Sequence, residues 1–154
     1  MPEPEAGTRT PAQDELVDTL VQNAFMTMAV LNRICAEHEL SLTLLRVVAI
    51  LRDRRLGVTA LADYLGLDKS SMTGLVARAE KRGLLQRAPN PADGRAVDVF
   101  ITPHGAALAE RVRGEVEQAL SPMTDELTPA EQRRLHTLLR RMQPPHTRVD
   151  STRT

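Results

Sequence analysis

Apolar residues in the first third of the chain recur every three or four positions, which is the spacing of one face of an α-helix. This spacing predicts a long first helix over about residues 14–37, with a face formed by Leu16, Leu20, Ala24, Met28, Leu31 and Cys35. A second helix is predicted to begin at Ser41 or Thr43, because either hydroxyl can cap it, and to end before Gly57. The chain therefore opens with two successive helices.

Two more helices are predicted to follow, separated by a turn of about four residues. Thr59 is expected to cap a short helix over residues 60–64, and Gly66 can adopt the left-handed backbone that ends it. Asp68 can accept backbone N–H bonds at the start of a fourth helix over roughly residues 69–81. Two helices joined in this way have the spacing of a helix-turn-helix motif.

The fourth helix, which is expected to stop at Gly83, has an apolar and a polar face. Its inner face is predicted to consist of Met72, Leu75, Val76 and Ala79. The residues left outward are small, hydroxylated or basic: Lys69, Ser70, Ser71, Thr73, Gly74 and Arg78. A helix with this outer face fits the major groove of DNA, where small hydroxyls allow close approach to bases and phosphates.

The pattern after the fourth helix is typical of strands. Residues 84–87 and 97–101 flank a turn-rich segment, residues 88–95, and the second strand alternates apolar and polar positions. We therefore expect a β-hairpin with an exposed loop, or wing.

The wing carries the remaining candidate DNA contacts, Arg87, Asp93 and Arg95. Arg95 suits the minor groove, whose negative potential attracts arginine. Asp93 is expected to pin the loop by pairing with Arg87 or with the backbone around Arg95. The segment from Asp68 to Arg95 contains three acidic residues and six basic ones, which are Lys69, Arg78, Lys81, Arg82, Arg87 and Arg95. This positively biased stretch coincides with the exposed helix and the wing, although Lys plus Arg and Asp plus Glu number 20 each in the whole chain.

Two amphipathic helices are predicted to complete the fold. Thr102 and Pro103 form a cap followed by proline at the first helical position, and Leu108, Val112, Val116 and Leu120 lie along one edge of the helix that they open. Thr128 and Glu131 have the spacing of a capping box before a last helix, whose apolar residues are Leu135, Leu138, Leu139 and Met142.

Length and composition favour one mainly α domain. The chain has 154 residues, of which 42% are hydrophobic and 2% aromatic, so its core must be built from aliphatic side chains. We expect a single domain over residues 13–145, a disordered arm over residues 1–12 and a flexible tail over residues 146–154.

Other classes of protein find little support in the sequence. Cys35 is the only cysteine, which excludes an internal disulfide and fits a cytoplasmic location. The four histidines, His38, His104, His136 and His146, lack ligand spacing, so no metal or cofactor is expected. We find no arrangement of catalytic residues, no apolar run of the roughly 20 residues that cross a membrane, and no signal peptide at the N-terminus. The chain is therefore expected to be neither an enzyme nor a membrane protein.

The sequence resembles the MarR family of winged-helix regulators over about residues 42–105. The matching segments, in order, are Leu42-Thr43, Leu61-Ala62, Leu67-Asp68-Lys69-Ser70-Ser71-Met72-Thr73, Glu80-Lys81-Arg82-Gly83-Leu84, Asp93-Gly94-Arg95, Ile101-Thr102 and Gly105. The resemblance implies a winged helix-turn-helix core over about residues 42–102. It also implies a dimerisation region formed by helices over about residues 13–37 and 103–143, with base and phosphate contacts from Ser70, Ser71, Thr73, Arg78 and Arg95.

Two positions depart from the family pattern. Gly94 stands where many members have arginine, so this wing has one basic residue fewer. Cys35 lies late in the first helix, whereas the family's peroxide sensors carry their reactive cysteine near its beginning. The second departure weakens a redox-sensing interpretation.

These features together predict a homodimeric, ligand-responsive repressor that binds double-stranded DNA at a pseudo-palindromic operator, with half-sites roughly 34 Å apart. Asn32, His38 and Arg46 are candidates to bind a small-molecule effector between the dimerisation helices and the DNA-binding lobe. The alternatives are a winged-helix module that binds protein instead of DNA, and a redox-responsive regulator that uses Cys35.

Overall fold

The computed structural model describes residues 10–143 of the chain. Its elements, in chain order, are α1 (Pro11–Glu37), α2 (Leu42–Leu51), β1 (Leu56–Gly57), α3 (Val58–Leu65), α4 (Lys69–Lys81), β2 (Leu85–Pro89), β3 (Val97–Ile101), α5 (Pro103–Leu120), a 3₁₀ turn (Ser121–Met123) and α6 (Pro129–Met142). This order confirms the expected mainly α winged-helix fold. Residues 1–9 of the predicted arm and all of the predicted tail lie outside the described residues.

Helix α1 begins at Pro11, three residues earlier than the sequence pattern predicts, so Pro11 and Ala12 are not part of a disordered arm. The Thr10 amide donates a hydrogen bond to Gln13 Oε1 at 2.9 Å, and Pro11 occupies the first helical position, where the missing N–H has no intrahelical partner to lose. Local capping thus extends the helix beyond its apolar stripe.

The start of α3 also differs from the prediction. Gly57, with extended backbone, is the N-cap and the helix begins at Val58, so Thr59 lies inside the first turn and does not cap it. Gly57 is held there because it pairs with Asp98 of β3 in the sheet. A long-range contact therefore sets this helix start.

The sheet has three antiparallel strands in the order β1-β3-β2, so β3 lies in the middle. The β2–β3 hairpin confirms the predicted wing. Strand β1 was missed because it has only two residues, too few to show an alternating pattern. The Arg55 guanidinium beside β1 lies 4.3 Å from the centroid of the Phe100 ring, which adds a cation–π contact to the sheet.

The core lies where α4 meets the other elements of the winged-helix unit. All four predicted inner residues of α4 are buried. They pack in one cluster with apolar side chains of the neighbouring elements, among them Val47, Leu51, Leu61, Leu84, Leu85, Val99 and Val112. Burial of the inner face leaves the opposite face of α4 at the surface.

The two terminal helices of the described region leave much apolar surface uncovered. In α1 the buried residues are Ile34 and Cys35, both near its C-terminal end, and α6 has no buried residue. The exposed large apolar side chains of these helices are Leu16, Val17, Val21, Phe25, Met26, Met28, Leu135, Leu138, Leu139 and Met142. Apolar stripes of this size on two helices are typical of an interface.

The joint between β3 and α5 has no room for a side chain at Gly105. Thr102 caps α5 by accepting a hydrogen bond from the Gly105 amide at 3.0 Å, and its own amide donates to the carbonyl oxygen of Leu84 at 3.1 Å. A Cβ atom on Gly105 would collide with that carbonyl oxygen and lie 3.0 Å from Cγ1 of Ile101. The first turn of α5 therefore packs directly on the backbone that leads into β2.

We predict opposite effects of alanine at two glycines of α5. Gly105→Ala should lower the free energy of unfolding by about 2 kcal/mol, because the backbone at Leu84 must move. Gly114→Ala is the matched control: nothing lies within 4 Å of the position that its methyl group would take, and alanine should raise the same free energy by roughly 1 kcal/mol through helix propensity. Urea unfolding of both variants tests this, and equal stabilities would contradict the close approach.

Candidate nucleic-acid interface

The exposed face of α4 begins at a well-formed cap. Asp68 Oδ1 accepts a hydrogen bond from the Ser71 amide at 2.8 Å, and Asp68 Oδ2 accepts one from the Ser71 hydroxyl at 2.6 Å. Both bonds lower the pKa of the Asp68 carboxyl, and the bond from the Ser71 hydroxyl has the larger effect. The capping carboxylate therefore stays ionised at neutral pH. The predicted capping role of Asp68 is confirmed, and it fixes the turn that carries Lys69, Ser70 and Ser71.

The three candidate hydroxyls of α4 differ in what they can offer a ligand. Ser71 donates its hydroxyl proton to Asp68, and Thr73 Oγ1 donates to the carbonyl oxygen of Lys69 at 2.8 Å. Ser70 is exposed and its hydroxyl forms no hydrogen bond with any residue between 10 and 143. Ser70 can therefore donate outward without losing an internal bond, whereas Ser71 and Thr73 retain acceptor capacity.

Gly74 makes space for the side chain of Arg78. A Cβ atom at position 74 would lie 3.3 Å from Arg78 Nη1. The guanidinium is therefore folded back along α4, over Gly74 and toward the N-terminal half of the exposed face. The two candidates are in close contact, because a methyl group at position 74 would require the guanidinium of Arg78 to move slightly away.

Four side-chain-to-backbone or side-chain-to-side-chain hydrogen bonds fix the tip of the wing. Asn90 Oδ1 accepts from the amides of Ala92 and Asp93 at 2.8 and 3.0 Å, and Asn90 Nδ2 donates to Asp98 Oδ2 at 2.8 Å. Asp93 Oδ1 accepts from the Arg95 amide at 3.1 Å. The wing thus holds its shape through its own side chains, and one of the two pairings expected for Asp93, with the backbone at Arg95, is confirmed.

Asn90 and Asp98 were not among the predicted site residues. Asp98 is buried, with 8% of its surface exposed, at a position that strand alternation would assign to the polar side. The available signal was Asn90 within the turn-rich segment, since asparagine side chains commonly bond to the backbone two residues ahead.

Arg87 is bound to α4 and not to Asp93, so the other expected pairing was wrong. Arg87 Nη2 lies 2.7 Å from Glu80 Oε2, and its backbone amide donates to Glu80 Oε1 at 3.1 Å. Glu80 is in the last turn of α4, and its carboxylate accepts hydrogen bonds from both the side chain and the backbone amide of Arg87. This contact ties the base of the wing to the exposed helix.

Internal contacts therefore occupy two of the six predicted cations. Arg87 pairs with Glu80, and Arg82 donates to backbone carbonyls at the end of α1. The other four form no side-chain hydrogen bond or ion pair within the described chain: Lys69, Arg78, Lys81 and Arg95. A groove of about 480 Å³ runs between α3, α4 and the wing, with Lys69, Thr73 and Arg87 in its walls.

A second, smaller cavity of about 200 Å³ lies between α1, α2 and α5. Its walls are mostly apolar and are formed by Leu31, Leu45, Val48, Ala49, Ala109, Val112 and Val116. Three charged residues also line it: Arg52, Glu110 and Arg113. None of the candidate effector residues lines it. Asn32 and Arg46 are exposed, and the His38 ring lies against Glu115, with Nε2 2.8 Å from Oε2. Their role in effector binding stays a prediction.

Cys35 lies in the interior of the fold, 3% exposed. Burial raises the pKa of its thiol, which therefore stays protonated at neutral pH. A protonated, buried thiol reacts slowly with oxidants, which argues against redox sensing at this residue.

Residues 10–143 contain no group of three or more histidine, cysteine or carboxylate side chains placed to hold a metal ion. Within the same range, no helix has the length and apolar character required to cross a membrane.

The arrangement of α2, α3, α4 and the β2–β3 wing defines a winged helix-turn-helix protein. Comparison with known proteins agrees with this class. Residues 38–96, which include the helix-turn-helix and most of the wing, match the model of the MarR family.

Individual relatives show how far the similarity extends. The multiple antibiotic resistance protein MarR of Salmonella typhimurium is 35% identical over 85 residues, which cover 54% of this chain and 59% of that protein. Wild-type MarR from E. coli has a TM-score of 0.68 at 25% identity, over 90% of this chain and 100% of that one. Bordetella bronchiseptica BpsR, whose DNA binding is regulated by 6-hydroxynicotinic acid, has a TM-score of 0.64 at 26% identity, over 92% and 97% of the two chains.

Proposed function

We propose that this protein is a transcription regulator, a repressor, which binds double-stranded DNA in a sequence-specific manner as a homodimer. The observation that carries the proposal is the exposed face of α4, where Lys69, Arg78 and Lys81 lack internal partners within the described chain, next to a wing whose tip presents Arg95. Cations that form no ion pair within the fold are available to neutralise phosphates.

Helix α4 is suited to the major groove. Its outer face has small residues near the N-terminal end, including Ser70 and Gly74, so the backbone can approach base edges closely. Arg78, folded over Gly74, brings a guanidinium to the middle of this face, where it can form two hydrogen bonds with a guanine. We assign base recognition to Ser70, Thr73 and Arg78.

The wing is suited to the adjacent minor groove. Arg95 is exposed at its tip, and its backbone is held by Asp93 before any ligand binds. A loop that is already ordered loses little conformational entropy on binding. The attraction between Arg95 and the minor groove is therefore not offset by the cost of ordering the loop. Asp93 and Arg87 act through the shape of the wing and are not assigned to direct contacts.

The apolar faces of α1 and α6 support the proposed homodimer. The stripe of α6 is bordered by arginines, and the N-terminal part of α1 carries Asp14, Glu15 and Asp18. If α6 of one protomer packs on α1 of a second copy, both apolar stripes are covered and opposite charges meet at their edges. Twofold symmetry then presents two α4 helices to half-sites about 34 Å apart on a pseudo-palindromic operator.

DNA binding should be salt-dependent and sensitive to Arg95. For a duplex selected from a random library by the wild-type chain, the logarithm of the affinity should fall linearly with the logarithm of salt concentration, by about 0.9 per phosphate contacted. Arg95→Ala should weaken binding about tenfold and lower this slope by roughly one unit. Fluorescence anisotropy measures both quantities, with Arg111→Ala as a control that removes an exposed charge from α5.

Gly74→Ala sharpens the same experiment because it separates stability from binding. Alanine in the middle of α4 should raise the melting temperature through helix propensity, while its methyl group displaces Arg78 and weakens binding to the selected duplex. A more stable variant with unchanged affinity would remove Arg78 from the proposed recognition. If wild-type protein prefers no duplex to a scrambled one and shows little salt dependence, the protein-binding alternative replaces the DNA-binding proposal.

Ligand control would act through the cavity between α1, α2 and α5. Its apolar walls suit an aromatic ring, and Arg52 suits an acidic group, which is the chemistry of the 6-hydroxynicotinic acid named for BpsR. Arg113 in the same wall is already paired with Glu110 and Glu117. We predict that an aromatic carboxylate of this kind, with 6-hydroxynicotinate as the first probe, raises the melting temperature and weakens DNA binding. Ala109→Leu, which fills the cavity, should abolish both effects, and a panel of aromatic carboxylates without any effect would refute this part of the proposal.

A further inference from the structure

The C-terminal end of α1 is held by a side chain from the end of α4. Arg82 donates from Nη1 to the carbonyl oxygen of Glu39 at 2.6 Å and from Nη2 to that of His38 at 3.1 Å. Arg82 is itself the C-cap of α4. One guanidinium therefore bridges a predicted dimerisation helix and the helix that carries the proposed reading face.

The two carbonyl groups that Arg82 binds lie just beyond α1, at its C-cap His38 and at Glu39. The end of a helix carries partial negative charge, and the last turn of α1 has no basic residue of its own to balance it. The Glu39 amide donates to Ala36 and the Leu40 amide to Cys35, which places Glu39 in the left-handed position of the turn, with φ 53°.

The left-handed position is unfavourable for glutamate. A side chain crowds the following carbonyl in this conformation, and α4 avoids the cost by placing Gly83, with φ 69°, at the equivalent point. Glu39 therefore keeps a strained backbone whose carbonyl oxygen is bound by Arg82. Strain held in place by a neighbouring element often marks a functional position.

The same turn is also attached to α5. The His38 ring lies against Glu115 of α5, while the carbonyl oxygen of His38 accepts from Arg82. Among the described residues, no other side-chain hydrogen bond joins α1 to α4. Residues 38–39 are thus a junction where α1, α5 and α4 meet through polar contacts.

We propose that Arg82 is a positioning residue that sets the direction of α4 relative to α1 and α5 and passes movements of those helices to the reading face. This inference rests on the proposed function. The planar guanidinium fixes both distance and orientation through its two N–H groups, which a lysine ammonium does not. Arg82 was counted in the positively biased stretch between Asp68 and Arg95, but its guanidinium is bound to backbone carbonyl oxygens of the protein itself.

The test compares Arg82→Ala with wild type for affinity, salt dependence and melting temperature, on the duplex selected by wild type. We expect about tenfold weaker binding, because two charge-assisted hydrogen bonds are lost. The slope of affinity against salt should not change, since no phosphate contact is removed. A slope lower by about one unit would show that Arg82 binds phosphate and would overturn the inference. An Arg82→Ala variant that binds the duplex as tightly as wild type would also overturn the inference. Arg82→Lys should remain weaker than wild type although it keeps the charge.

A second variant separates positioning from local stabilisation. Arg82→Ala combined with Glu39→Gly removes the strain at position 39, so the melting temperature lost in the single variant should be recovered. Binding should stay weak, because glycine restores the turn but not the bridge to α4. Recovery of both melting temperature and affinity would show that Arg82 only stabilises the turn.

A measurement without DNA keeps this inference separate from the proposed function. Spin labels at Gln22→Cys on α1 and Lys81→Cys on α4, in a Cys35→Ala background diluted with unlabelled chain, report the distance between the two helices. We expect a narrow distribution in the presence of Arg82, and a broad one both in Arg82→Ala and in its combination with Glu39→Gly. A distribution that stays narrow in Arg82→Ala would overturn the inference even if wild type binds DNA, whereas failure of wild type to bind DNA would overturn only the proposed function.

Discussion

The rest of the structure depends on the burial of one face of α4. Met72, Val76 and Ala79 are fully enclosed and pack with Leu61 of α3 and Val99 of the central strand. Because a helix has fixed geometry, burial of these residues determines which residues remain outside. The small and basic face of α4 is therefore presented in one orientation by the core and not by contacts of its own.

Specific contacts then fix the surroundings of this helix. Asp68 caps its first turn, Glu80 holds the wing through Arg87, and Arg82 reaches the end of α1. None of these three side chains belongs to the core. Asp68 fixes the start of α4 itself, whereas Glu80 and Arg82 join α4 to another part of the chain. Two cations of a positively biased stretch are used in this way, which shows that counting charges in the sequence overestimates those available to a ligand.

Signals that act over a few residues were predictable from the sequence. Asp68, Thr102 and Thr128 are caps where the pattern places them, and Gly66 and Gly83 adopt the left-handed backbone expected at helix ends. Their physical cause is local, since a cap binds amides two or three residues ahead. The apolar spacing of α4 likewise predicted its buried face, because helical periodicity depends only on the chain itself.

Features that depend on distant partners were not predictable. Strand β1 exists because Leu56 pairs with Val99, and the adjacent pairing of Gly57 with Asp98 moves the start of α3 away from Thr59. The internal partners of Arg82 and Arg87 were not foreseen, because a sequence does not show which carbonyl or carboxylate a long side chain will reach. Asp98 is buried by a bond to Asn90 that no alternating pattern encodes.

The proposed dimer provides the central test, because the apolar faces of α1 and α6 have no function in a single chain. Sedimentation equilibrium should be measured for wild type, Leu138→Asp on the apolar stripe of α6, and Thr137→Asp on the opposite face of the same turn. The account predicts dimers for wild type and Thr137→Asp, and monomers for Leu138→Asp. A monomeric wild type, or a Leu138→Asp variant that remains dimeric, would contradict it.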